Sequence, residues 1–209
     1  MFKVEATEQV SLSGLTISNG STTGLGGGIY NNGNLTISAC TLSNNSAIYG
    51  DGGGIYNEFS ATLTVSNSTV SGNTAANDGG GIYNYGKLTT TGSVVEKNRA
   101  FYGGGIWNGG SATISSSTVS SNLAYGGDST GYGGGIYAAG NVSLIGSTVT
   151  GNNSDGLGAG IYDQGWVTIS SKSVVCNNFE LAGPYSTYHE DNLVIGYYGH
   201  VKISGGSKC

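Results

Sequence analysis

The chain has 209 residues, a net charge of −5 and a pI of about 4.7. Its 7 Lys and Arg are scattered and form no basic stripe, which argues against nucleic acid and disfavours an anionic membrane surface as partners. No apolar run approaches the roughly 20 residues that span a bilayer, so no membrane insertion is expected.

With 40 glycines and 9% charged residues the composition resembles that of disordered chains. The 37% of hydrophobic residues argue against that, because the aliphatics recur at fixed positions. Met1-Phe2-Lys3-Val4-Glu5 reads as entry into a strand and not as a signal peptide.

From residue 26 onward one string repeats. It runs Gly26-Gly27-Gly28-Ile29-Tyr30-Asn31, then Gly52 to Asn57, Gly79 to Asn84, Gly103 to Asn108, Gly133 to Tyr137 and Gly158 to Tyr162. A degenerate copy places Ile195 in the same register. The spacings between the isoleucines are 26, 27, 24, 30, 25 and 34 residues. After each copy apolar and polar residues alternate, as in Leu35-Thr36-Ile37-Ser38 and Val167-Thr168-Ile169-Ser170, the period of a strand with one buried face. A third string pairs an inward aliphatic with an Asn three residues later: Leu42 with Asn45, Val70 with Asn73, Val95 with Asn98, Val119 with Asn122, Val149 with Asn152 and Val174 with Asn177.

Three short strands in about 25 residues, with no helical period, make one turn of a solenoid. The expected fold is all-β, a right-handed parallel β-helix of about seven to eight coils of three short strands. Residues 1-177 form the coils. Residues 178-209 form an irregular loop and a C-terminal capping coil of the same single domain. Equivalent asparagines on successive coils are expected to hydrogen-bond along the stack, which satisfies polar groups at a buried turn. The segments before the glycine runs vary in length, so one corner carries the variable loops, where recognition usually sits.

The pairing of Gly-Gly-x-Ile with apolar-x-x-Asn resembles the repeats of polymorphic outer-membrane proteins. It is equally similar to bacterial right-handed β-helix repeat proteins of cell surfaces. The likeness covers residues 10 to about 177. The polymorphic repeat has Gly-Gly-Ala-Ile and Phe-x-x-Asn. Here the third position is mostly Gly and the Phe position is Leu or Val, which favours the broader class. The resemblance implies an extracellular or cell-surface location, a structural or adhesive role, and no enzymatic activity.

The residues themselves offer several surfaces. An outward aromatic strip holds Tyr30, Tyr56, Tyr83, Trp107, Tyr137 and Tyr162, either stacking against sugar rings or stacking on itself. One Thr/Ser face holds Thr36, Ser38, Thr64, Ser66, Thr89, Thr91, Thr113, Ser115, Thr168 and Ser170. A second runs from Thr16 and Ser18 to Thr148 and Thr150. Such ranks resemble the ice-binding faces of antifreeze proteins, but Thr and Ser are also ordinary exposed strand residues. Glycan, a host surface or ice are the partners these faces suit.

A polysaccharide-binding or polysaccharide-active β-helix is a further alternative, and an active one needs clustered acids. Asp51, Asp78 and Asp155 each precede a glycine run. As a stack they offer oxygen ligands for Ca²⁺, whereas Asp-Gly is also a common turn pair. No catalytic residue, cofactor or metal site is assigned. His189 and His200 have no evident partner. Cys40 falls where other coils carry Ser, which suggests burial. Aligning Val201 with Val167 puts Cys209 beside Cys176, so a Cys176–Cys209 disulfide is expected, as suits an oxidising compartment.

Overall fold

Each repeat closes into one coil, and the coils stack in register through parallel strands (Ile29↔Ile55, Ile82↔Ile106, Ile136↔Ile161). The computed structural model describes residues 1–127, 129–170, 172–181, 189–190, 192–196 and 199–204. Among these the strands form four sheets, three of 8 strands and one of 7. At roughly 4.8 Å per coil the stack is about 34 Å long.

The three strings of the sequence supply three sheets. The Ile-Tyr-Asn strands make sheet A, for example Ile82–Asn84. The five-residue alternating strands make sheet B, for example Thr62–Ser66. The aliphatic before each Asn centres the three-residue strands of sheet C, for example Thr69–Ser71. A fourth strand of only two residues adds to them in sheet D, as at Ser46–Ala47 and Thr74–Ala75. Its inward residue is small, with Ala47, Ala75, Ala100 and Ala124 all buried. Two residues are too few to display a period, so these strands do not stand out from the variable segments they open.

The interior is a continuous aliphatic column. Ile29, Ile55, Ile82, Ile106, Ile136 and Ile161 are fully buried, each worth about 1.5–3 kcal/mol of transfer free energy. They face Leu35, Leu63 and Leu88 of sheet B and Leu42, Val70 and Val149 of sheet C. In the last sheet A strand the column continues at Leu193, which pairs with Ile161. Ile195 pairs with Asp163 and is 56% exposed. The expected register was therefore two residues out. A two-residue slip keeps the same strand face, so alternation alone does not detect it.

Besides the glycine that opens each glycine run, as at Gly26, Gly52 and Gly79, two corners of each coil use left-handed backbone. Between sheets B and C it falls on Gly14, Ala39, Asn67, Gly92, Ser116, Gly146 and Lys172. Between sheets C and D it falls on Asn19, Asn44, Gly72, Lys97, Ser121, Gly151 and Asn177. From the second coil onward the first of these corners is followed by a buried Cys or Ser and the second by a buried Asn. At the first, backbone N–H groups donate to serine hydroxyls of the next coil: Cys40 to Ser68 at 3.0 Å, Ser68 to Ser93 at 3.2 Å and Ser93 to Ser117 at 3.2 Å. Cys40 is buried at the head of this column, and its Sγ accepts from the Leu15 N–H at 3.4 Å.

At the second corner runs the asparagine ladder, in which Asn45, Asn73, Asn98, Asn122, Asn152 and Asn178 donate side-chain amides in turn down the stack. The last full coil uses Val175 and Asn178, not Val174 and Asn177. Val175 pairs with Val149, and Asn177 is the left-handed corner residue. A second amide ladder links Asn31, Asn57, Asn84 and Asn108 inside sheet A at 2.6–2.7 Å. It follows from parity, since Asn lies two residues after the inward Ile.

The glycine run has two separate causes. Gly79 has φ +65°, a conformation costly for other residues. At Gly81 an added Cβ would stand 2.7 Å from the Gly105 oxygen of the next coil. Beyond residue 177, Phe179–Glu180 extends sheet D, and His189–Glu190 returns antiparallel to it. Leu193–Ile195 and His200–Ser204 then close sheets A and B. Cys209 and the expected Cys176–Cys209 disulfide lie outside the described residues.

Candidate functional site

Sheet A presents the aromatic strip. Tyr30, Tyr56, Tyr83, Trp107, Tyr137 and Tyr162 follow one another along the stack with centroids 5.5, 4.7, 4.3, 6.3 and 5.2 Å apart. The first three pairs are parallel to within 5°. Each ring in that run covers its neighbour's face, and Tyr56 and Tyr137 are buried. A second aromatic column, Tyr102 and Tyr132, lies beside it and touches Tyr137 and Tyr162. What the strip offers outward is ring edges. The hydroxyls are also engaged, Tyr30 donating to Glu58 at 3.3 Å and Tyr137 to Gln164 at 2.9 Å. Burial pushes the Tyr137 phenol up to about 12 and those of Tyr56 and Tyr83 above their ordinary value.

Sheet B carries the first Thr/Ser face. Thr36, Thr64, Thr89, Thr113, Ser143 and Thr168 stand in one register column, with Ser38, Ser66, Thr91, Ser115, Ile145 and Ser170 two residues along. Ile145 is 46% exposed and interrupts the second column. On sheet C the matching face is broken by Val94 and Glu96.

The variable corner gathers the acids but does not stack all three. Asp51 and Asp78 are neighbours, the Asp78 N–H donating to Asp51 Oδ1 at 3.1 Å. Their column continues as Tyr102 and Tyr132. Burial, and then the neighbouring Asp51 charge, push the Asp78 carboxyl up to about 7. Asp155 lies elsewhere. Its carboxylate accepts from the N–H groups of Gly126, Gly127 and Gly131 at 3.2, 2.7 and 2.6 Å and so clasps the longest variable loop. No group of three or more His, Cys, Asp or Glu able to hold a metal occurs among the described residues. Nor is any helix there long and apolar enough to cross a membrane.

Two segments of the chain, residues 39–58 and 67–85, match the family model of the Chlamydia polymorphic membrane protein repeat. They are similar to that repeat. Together they are under a fifth of the chain. No curated protein and no solved structure matches it. Each repeat-like segment starts at a left-handed corner, Ala39 or Asn67, and passes through an asparagine of the ladder. It then ends on the Ile-Tyr-Asn strand or just past it. The match persists although the third glycine and the Leu or Val before the Asn differ from the polymorphic form. What the repeat encodes is thus the run from sheet C to sheet A, with both amide ladders.

Sequence reasoning overlooked three surface features. His200 stacks on Trp166 with centroids 4.3 Å apart, and Trp166 is 61% exposed. Phe59 and Tyr85, 67% and 43% exposed, form a tilted pair at the turn between sheets A and B. Arg99 lies 5.0 Å from the centre of the Tyr125 ring. None of these occupies a repeating column, so no periodicity announces them. An open depression of about 270 Å³ at the N-terminal end is lined by Met1, Lys3, Thr22, Leu25 and Tyr30, a set without a carboxylate.

Proposed function

We propose that this β-helix is a non-enzymatic structural and adhesive module displayed on a bacterial surface. The observation that carries the reading is the similarity of residues 39–58 and 67–85 to the polymorphic membrane protein repeat. That name places its bearers at a membrane, and an outer-membrane or surface location suits this chain. The regular exterior agrees with it. Of Asp51 and Asp78, the neighbouring acids that a polysaccharide-cleaving enzyme would need, Asp51 is occupied in accepting from the Asp78 backbone N–H of the next coil. Beads coated with the protein should adhere to host-cell monolayers or to a glycan array above uncoated beads. Adhesion equal to that of uncoated beads on both would remove the adhesive role.

One observation favours a second reading, an ice-binding face. The Thr column of sheet B keeps strict register over five adjacent strands from Ser11 to Thr113. Thermal hysteresis at high protein concentration tests it, and none should be seen if adhesion is the role.

A further inference from the structure

The aromatic residues able to take a ligand are those outside the repeating strip. A sugar stacks its C–H face on the face of a ring. In the first rings of the strip those faces are covered by neighbours 4.3–5.5 Å away. Phe59 and Tyr85 differ: they are tilted by 59° to each other, and Tyr85 is tilted by 51° to Trp107. Tilted rings do not eclipse one another, and both residues project into solvent.

Farther along the same edge stands Trp166. Lys87, two residues after Tyr85, shares a register column with Ser111, Asn141 and Trp166. Trp166 is therefore three strand spacings, about 14 Å, down the rod. His200 covers one side of it, and it is still 61% exposed. Between the two aromatic points the turns are Gly109-Gly110 and Ala139-Gly140, which raise nothing larger than a methyl group.

We infer that this edge binds an uncharged linear polysaccharide lying along the rod. The sugar rings rest on Phe59 and Tyr85 at one end and on Trp166 at the other. Charge selects the class: Glu58 and Lys87 on this edge offset each other, and the chain's net −5 repels polyanions. Asn141, exposed on this edge in the Trp166 column, would exchange hydrogen bonds with sugar hydroxyls. The inference rests on the adhesive reading and names the chemistry that the adhesion would use.

Electrophoresis of the whole chain through native gels containing hydroxyethylcellulose, galactomannan, arabinoxylan or polygalacturonate tests it. At least one of the three neutral polymers should retard the protein, and polygalacturonate should not. Phe59→Ala with Tyr85→Ala should weaken retardation at least tenfold in polymer concentration, about what the loss of one ring–sugar stack of 1.4 kcal/mol does. Trp166→Ala should weaken binding to the polymer but leave short oligosaccharides bound. Retardation by polygalacturonate alone, by no polymer, or equally for wild type and the double variant overturns the inference. If no polymer retards the wild-type chain while its beads still adhere to cells, the site fails and the adhesive reading stands.

Discussion

The carboxamide oxygen of Asn98 accepts two hydrogen bonds from Asn73, one from its backbone N–H and one from its side-chain Nδ2, each 2.9 Å long. The Asn98 amide in turn donates to the Val70 carbonyl at 2.9 Å and to Asn122 Oδ1 at 3.0 Å. One side chain thus satisfies groups on both neighbouring coils at a site 1% exposed. Asn98→Ala would strand several buried polar groups at about 1–3 kcal/mol each. We expect a loss of at least about 3 kcal/mol in urea unfolding. A loss below about 1 kcal/mol would show that the ladder is not what holds the coils in register.

Asp163 occupies a column position that is Asn in the first coils. It is fully buried. Its Oδ1 accepts from the Gly165 N–H at 2.9 Å, and its Oδ2 has no donor among the described residues. Burial holds its carboxyl above the ordinary range. Asp163→Asn removes a buried charge and should raise stability at pH 7 by about 1 kcal/mol, measured by chemical unfolding. A decrease would mean that the carboxylate has a use that the amide lacks.

Asp78 makes stability depend on pH. Its carboxyl titrates at about 7 in the fold and near 3.9 when unfolded. Between those values the folded chain holds the extra proton, so this group's contribution is full below about pH 4 and is lost as pH rises through 7. The melting temperature should therefore be higher at pH 5 than at pH 8. Asp78→Asn should remove much of that fall, with the largest gain at pH 8. An unchanged pH profile in the variant would place the titration elsewhere.

Ala39 holds a left-handed φ of +49° at an exposed corner where other coils use Gly14, Gly92 and Gly146. The strain of a Cβ there is about 1 kcal/mol, and a more flexible unfolded chain offsets part of it. Ala39→Gly should be neutral or stabilising by up to about 1 kcal/mol, where Gly in an ordinary strand would destabilise. A loss of stability in thermal unfolding would contradict the corner geometry.

Much of this structure is legible in the residues because identical side chains must superpose when coils stack. The Ile29-to-Ile161 column, the Asn45-to-Asn152 ladder and the outward tyrosines all follow from spacing. What escaped lacks that redundancy. Ser46–Ala47 is too short to alternate, and Ile195 has the right parity but the wrong register. Asn177 and Asn178 are adjacent, so only the paired backbone distinguishes corner from ladder. The ladder through Asn31 and Asn57 was available from parity alone. Phe59, Tyr85 and Trp166 stand at positions where no residue type repeats from coil to coil, and pattern reading passes over them for the same reason that leaves them free to meet a ligand.

The central claim is that the columns hold the fold while the irregular edge makes the contact. It is tested most directly by measuring melting temperature and bead adhesion together for two variants, Tyr83→Ala and Phe59→Ala/Tyr85→Ala. Tyr83 stacks on both sides, at 4.7 and 4.3 Å. Its loss should cost about 2 kcal/mol, a drop of about 4–8 °C, with adhesion kept below the melting temperature. The double variant should melt within about 2 °C of the wild type and lose most of its adhesion. The opposite pattern, adhesion lost with Tyr83 and kept without Phe59 and Tyr85, would contradict the account.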